Sequence, residues 1–113
     1  MKIRYDFVTN SSSSSFIFAR KDGCTVDEIR TELEKHKNDI YVYDPKECEE
    51  NYGSFEGFLD EFARWLFNQA DDIKLDNWVV AARECSNEGD EFDVAVYEMP
   101  AIATEHFKMA ASW

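Results

Sequence analysis

Three cysteines and two histidines, Cys24, Cys48, Cys85, His36 and His106, are the side chains of this chain best suited to hold a soft metal ion or to act as nucleophile and base. A tetrahedral zinc site takes four such ligands, but the close pairs that put two of them on one turn, Cys-x-x-Cys or His-x₃-His, are missing. An odd cysteine count at wide spacing makes the thiols read as small hydrophobes of a reduced compartment. A fold that gathers distant ligands is the remaining route to zinc, and no metal or other cofactor is otherwise implied. Nucleophilic catalysis needs a cysteine or serine beside a histidine that an acid orients. His36 continues the stripe of a helix and His106 sits in a tail of undefined structure, so no catalytic residue is assigned.

Acidic side chains are the more abundant chemistry. The chain carries 24 acids against 12 basic residues, a formal net charge of −12 over 113 residues. Residues 1 to 23 hold Lys2, Arg4, Arg20 and Lys21 against Asp6 and Asp22, so the remainder carries the acidity, and the body rather than a tail is negative. A surface of this sign repels phosphate backbones and attracts basic protein grooves, including channels built to hold nucleic acid. The acids concentrate in three segments: Glu47, Glu49 and Glu50; Asp71 and Asp72; and Glu88, Asp90 and Glu91. Each falls at an element end, where a recognition face disturbs no core. The bland alternative is charge placed on loops because loops are wet.

At the other extreme stands Asp6 to Phe16, reading Asp-Phe-Val-Thr-Asn-Ser-Ser-Ser-Ser-Ser-Phe, a serine pentad between two apolar-polar alternations. Its hydroxyls and backbone N–H groups, with Arg4, Ser11, Ser12, Ser13 and Arg20 foremost, are a candidate anion contact. The competing reading is a flexible loop tip, because the run lacks the glycines of a phosphate-binding loop. The opening Met-Lys-Ile-Arg-Tyr-Asp-Phe-Val-Thr-Asn and the serines resemble the N-terminus of small accessory proteins from phages and mobile elements of Gram-positive bacteria, some of which are anti-CRISPR proteins. The resemblance covers about the first twenty residues. It implies a partner of protein nature, a host type II CRISPR effector nuclease, and a location in the host bacterial cytoplasm.

The elements that must position these residues follow from periodicity. Ile3, Tyr5 and Phe7 alternate with Arg4, Asp6 and Val8, and Phe16 and Phe18 resume the pattern, which predicts a hairpin across the serines. Thr25 and Glu28 form a capping box for a helix over Val26 to Lys37. Asp39 to Asp44 reads as a strand stopped by Pro45, and Lys46 to Gly53 as a polar connection. Ser54 caps a second helix in which Phe55, Phe58, Leu59, Phe62, Trp65 and Leu66 share a face, while Phe67 falls near the flank as an exposed aromatic beside an Asp60–Arg64 pair. Asn77 to Cys85 and the alternation from Phe92 to Tyr97 predict a second hairpin. Residues 101 to 113 are ambiguous between a short helix and a last strand.

The expectation is therefore one α+β domain, a mainly antiparallel sheet of about five strands in the order ββαβαββ with two helices packed on one face. No signal-peptide pattern is present, and no apolar run approaches the roughly 20 residues that cross a bilayer, so no membrane partner is expected. With direct duplex DNA binding disfavoured by charge, the expected function is stoichiometric inhibition of the nuclease through an acidic, DNA-mimicking surface. The expected contacts are Glu47, Glu49, Glu50, Phe67, Asp71, Asp72, Glu88, Asp90 and Glu91. A guide-RNA-damaging enzyme and a mobile-element protein of unrelated role are the alternatives.

Overall fold

The structure, a computed structural model, describes residues 13–42 and 44–111. A five-stranded antiparallel sheet is built from β1 (Ser13–Lys21), β2 (Ile73–Leu75), β3 (Trp78–Ser86), β4 (Ile102–Ala103) and β5 (Phe107–Ala111), in the spatial order β2-β3-β1-β5-β4. Four helices join them: α1 (Val26–Lys35), α2 (Pro45–Tyr52), α3 (Phe55–Gln69) and α4 (Glu91–Glu98). The class is α+β as expected, but the described order is βαααββαββ.

β1 is the central strand. Ser13 pairs with Ser86 and Lys21 with Trp78 along β3, while Phe16 to Arg20 pair with Ala111 to Phe107 on β5. Both edges of Phe16–Arg20 are thus occupied, by β3 and by β5; the expected hairpin sets this stretch against Lys2 to Thr9. Those residues, with Arg4, Ser11 and Ser12, lie outside the described ones. Ser13, Ser14 and Ser15 belong to the strand, which corrects the reading of the whole pentad as a loop. Strand alternation turns Phe16 and Phe18 inward and leaves Ile17 exposed. Phe18, Phe107 and Met109 then pack with Ile29 and Leu33 of α1, Phe58, Phe62 and Leu66 of α3, and Val96 of α4 in one core. The opposite sheet face carries Trp78 beneath the ammonium groups of Lys21 and Lys108, 5.3 and 4.5 Å from the ring centre.

Helix starts follow local chemistry. The Thr25 hydroxyl accepts from Glu28 N at 3.2 Å, and Glu28 Oε1 accepts from Thr25 N at 2.8 Å, completing the expected capping box. Ser54 accepts from Gly57 N at the head of α3, and the long apolar face of that helix is buried as expected. Two starts were misread. Asp44 accepts from the N–H groups of Lys46 and Glu47, and Pro45 occupies the first turn, where its missing donor does no harm; the proline opens α2 rather than ending a strand. Residues 40–42 form no strand; Ile40 is buried in the core on the way between helices. Asp90 likewise caps α4 by accepting from Phe92 N and Asp93 N, which makes Phe92 to Tyr97 helical. Val94, Ala95, Val96 and Tyr97 are all buried, so the helix is apolar on most sides and its sequence mimics strand alternation.

The partner of β3 in a hairpin is instead β2, joined through Asp76 and Asn77, with Asp76 at φ 54 as a tight hairpin turn requires. The tail resolves into β4 and β5. Thr104 N donates to Phe107 O at 2.8 Å, and Phe107 N donates to the Thr104 hydroxyl at 3.1 Å. Glu32 of α1 clasps this turn, accepting from the Thr104 hydroxyl, from His106 N at 2.9 Å and from His106 Nδ1. Burial pushes the Glu32 carboxyl up, but these hydrogen bonds outweigh it and hold the group below its usual range.

Candidate functional site

The acids divide into two populations by what they touch. Asp71 and Asp72 are both bound by Arg83 of β3, at 2.6 and 2.9 Å, which ties the lead-in of β2 to its neighbour. The Arg83 hydrogen bond holds Asp72 below the usual carboxylate range. Arg30 of α1 reaches Glu34, Glu56 and Asp60, each at 2.7 Å, and so pins α1 to α3. Asp60 therefore pairs with Arg30, which corrects the expected pairing with Arg64. These carboxylates serve the fold.

Glu47, Glu49 and Glu50 stand outside that scheme. Cys48 is the buried residue of α2, and the three glutamates around it are exposed. Asn51 at the end of this helix donates to Glu91 Oε1 at 3.0 Å, which brings the start of α4 against α2. Glu47 and Glu91 line one small cavity with Asp44 and Cys48. Tyr52 completes the junction: burial first, then its hydrogen bond to Glu91, pushes the phenol up to about 12, so it stays a neutral donor. Asp90 caps α4, and Glu88 N donates to the Ser86 hydroxyl in the preceding turn, leaving both carboxylates exposed. Among the described residues no salt bridge reaches Glu47, Glu49, Glu50, Glu88, Asp90 or Glu91. The fold thus gathers two of the three acidic segments into a ridge without basic partners.

Beside this ridge runs an aromatic groove. Phe92 follows Glu91 in α4 and is the hub of a ladder, with ring centres 5.4 Å from Phe58, 5.7 Å from Phe62, 5.8 Å from Trp65 and 6.0 Å from Tyr52. Tyr52, Trp65 and Phe92 are half-buried and floor an open groove of about 320 Å³, with Glu61, Arg64 and Asn68 on its rim. Rigid aromatic surface with a polar rim is the composition of a protein-binding hot spot. The pairing of Phe92 with α3 was invisible to a reading that placed it on a strand; the signal that would have found it is Asp90 as an N-cap.

Other expected site residues fall elsewhere. Phe67 is half-buried rather than exposed, with the Arg20 guanidinium 4.1 Å over its ring. Arg20 Nε also donates to Phe67 O and Ala70 O at 3.2 and 3.0 Å, satisfying carbonyls at the C-terminal end of α3, where a cation is favoured. Both residues are thereby occupied in joining α3 to β1. Cys24 in the β1–α1 connection, Cys48 in α2 and Cys85 in β3 are free and buried. Burial pushes the Cys85 thiol up to about 12, which disfavours the nucleophilic thiolate. His36 lies at the end of α1, 3.8 Å from Asp39, away from any thiol cluster among the described residues.

Compared with known proteins, the chain matches no family model, no curated protein and no solved structure.

Proposed function

We propose that this protein is a non-enzymatic, stoichiometric inhibitor of a host type II CRISPR RNA-guided nuclease, acting in the host bacterial cytoplasm by occluding guide or target loading. The observation that carries the reading is the ridge of Glu47, Glu49, Glu50, Glu88, Asp90 and Glu91 beside the groove of Tyr52, Trp65 and Phe92. Effectors of this type hold their heteroduplex in a positively charged channel. Carboxylates without a basic partner in the fold keep their charge available to such a channel and raise the association rate, while an aromatic groove that receives an apolar side chain slows dissociation. The N-terminal string, which resembles that of accessory proteins including anti-CRISPR proteins, selects this nuclease class among the many basic partners an acidic ridge would suit. On this reading Asp71, Asp72, Phe67 and Arg20 hold the fold together and make no contact with the nuclease.

The test uses purified type II effectors, with and without guide RNA, in binding and cleavage assays followed by gel analysis of the guide. One-to-one binding that blocks cleavage and leaves the guide intact is the expected result. A shortened guide would transfer the protein to the enzymes, and absence of binding would remove the nuclease reading.

A further inference from the structure

One cluster away from the ridge joins a single imidazole to carboxylates from two elements. His106, in the β4–β5 turn, directs Nδ1 at Glu32 Oε2 and sets Nε2 3.3 Å from Glu28 Oε2. Glu28 and Glu32 stand one turn apart on α1, so both face the same ring. Glu105, the preceding residue of the turn, completes the group: one ligand-capable atom from each of Glu32, Glu105 and His106 lies within 4.8 Å of the others.

Both inner donors are already oriented as metal ligands usually are. Oε1 of Glu32 is fixed by the Thr104 hydroxyl and by His106 N, which leaves Oε2 directed at the imidazole. In the ion-free chain Nδ1–H donates to Glu32 Oε2, and the Glu28 carboxylate lies where it accepts from Nε2–H, so a metal ion can replace the Nδ1 proton while Nε2 keeps its own. A carboxylate holding the far nitrogen of a ligating histidine is the usual supporting contact in metal sites. Three carboxylates around one imidazole leave negative charge in excess even when the ring is protonated. Glu105 makes no hydrogen bond or salt bridge among the described residues and is exposed. The cluster opens on a cavity of about 320 Å³ that Asp27, Thr31 and Lys35 also line, giving an ion entry and room for water ligands.

We propose that His106, Glu32 and Glu105 form a binding site for a divalent first-row transition-metal ion of the zinc class. The ion would take the place of the proton shared by Nδ1 and Glu32 Oε2, which move apart to admit it, and that proton leaves to solvent. Glu105 is the third ligand, water fills the remaining position, and Glu28 orients the ring. One nitrogen with carboxylate oxygens selects this class over magnesium or calcium, which take all-oxygen sites. Such an ion would crosslink α1 to the β4–β5 turn. The site stands apart from the nuclease reading and holds or fails independently of it.

Zinc chloride is titrated calorimetrically into the full chain after chelator treatment, with thermal melts in parallel. One ion per chain is expected, together with a rise in melting temperature that chelator reverses. Glu105→Gln leaves the clasp untouched and should weaken binding by about tenfold or more, and Glu28→Gln by about 10–100-fold through the loosened ring. His106→Gln should abolish it; if that variant folds poorly, Glu105→Gln carries the test alone. No stoichiometric binding to the unaltered chain, or affinity unchanged in the variants, overturns the proposal.

Discussion

The acids bound by arginine and the acids of the ridge have the same chemistry and opposite surroundings. Glu34, Glu56 and Asp60 converge on Arg30, and Asp71 and Asp72 on Arg83; in each case one guanidinium, with its fixed fork of donors, joins two pieces of chain. α2 and the start of α4, which meet through Asn51 and Glu91, carry six carboxylates between them and the preceding turn, and among the described residues none has a salt-bridge partner. Self-repulsion of this kind works against a compact state, and a chain at −12 already bears it. The difference teaches where to look in a strongly acidic protein: total charge says little about location, whereas carboxylates that bind no cation and that the fold brings onto neighbouring elements mark a candidate surface.

The two regions share a foundation, and breaking it should have the largest effect. Phe62 is fully buried and stacks on Phe92 at 5.7 Å, so it supports the groove and the α3 core alike. Phe62→Ala should destabilise by about 3–5 kcal/mol, read from denaturant unfolding. A near-neutral result would mean that α3 is not the central packing element. Phe67→Ala separates the regions next. Its ring carries the Arg20 guanidinium on the structural side, so the variant should lose about 1–3 kcal/mol while nuclease affinity stays unchanged. Lost affinity at full stability would return Phe67 to the binding surface.

A smaller effect tests the border of the ridge. Asp93 sits behind Asp90, and burial, followed by the Asp90 charge, pushes its carboxyl above the usual range. A raised folded pKa means that the protonated form favours the fold: this stability is fully present below the unfolded value of about 3.9 and is lost as pH rises through the folded one. Asp93→Asn should therefore raise the melting temperature near neutrality and change little below about pH 3.9. Equal melting curves at neutral pH would show that Asp93 is well solvated.

Legibility in the sequence depended on range. Thr25 with Glu28 and Ser54 before its apolar run announce α1 and α3 because capping is local and their stripes have one period. Asp44-Pro45 and Asp90 are caps too. The first was masked by an extended connector that alternates like a strand, the second by a helix buried on most sides. With α2 and α4 missed as helices, the acids they carry were seen one segment at a time, and their meeting through Asn51 and Glu91, 40 residues apart, was beyond reach. The Glu32–His106 clasp spans 74 residues and left no local trace. β2 escaped because three exposed residues have too short a pattern to read.

The most direct test of the ridge is the association rate with a purified type II effector as a function of salt, for three proteins. They are the unaltered chain, a variant with Glu47, Glu49 and Glu50 all changed to Lys, and a control with Asp71 and Asp72 changed to Asn. Exposed charges are screened beyond about 8 Å at physiological ionic strength, so the unaltered chain should associate more slowly as salt rises. The ridge variant should associate about tenfold or more slowly at low salt and lose most of that dependence, with little change in melting temperature. The control should lose stability and keep the rate. If the ridge variant binds as fast as the unaltered chain while the control slows, the acids held by arginine are the working surface and the ridge is only solvated charge.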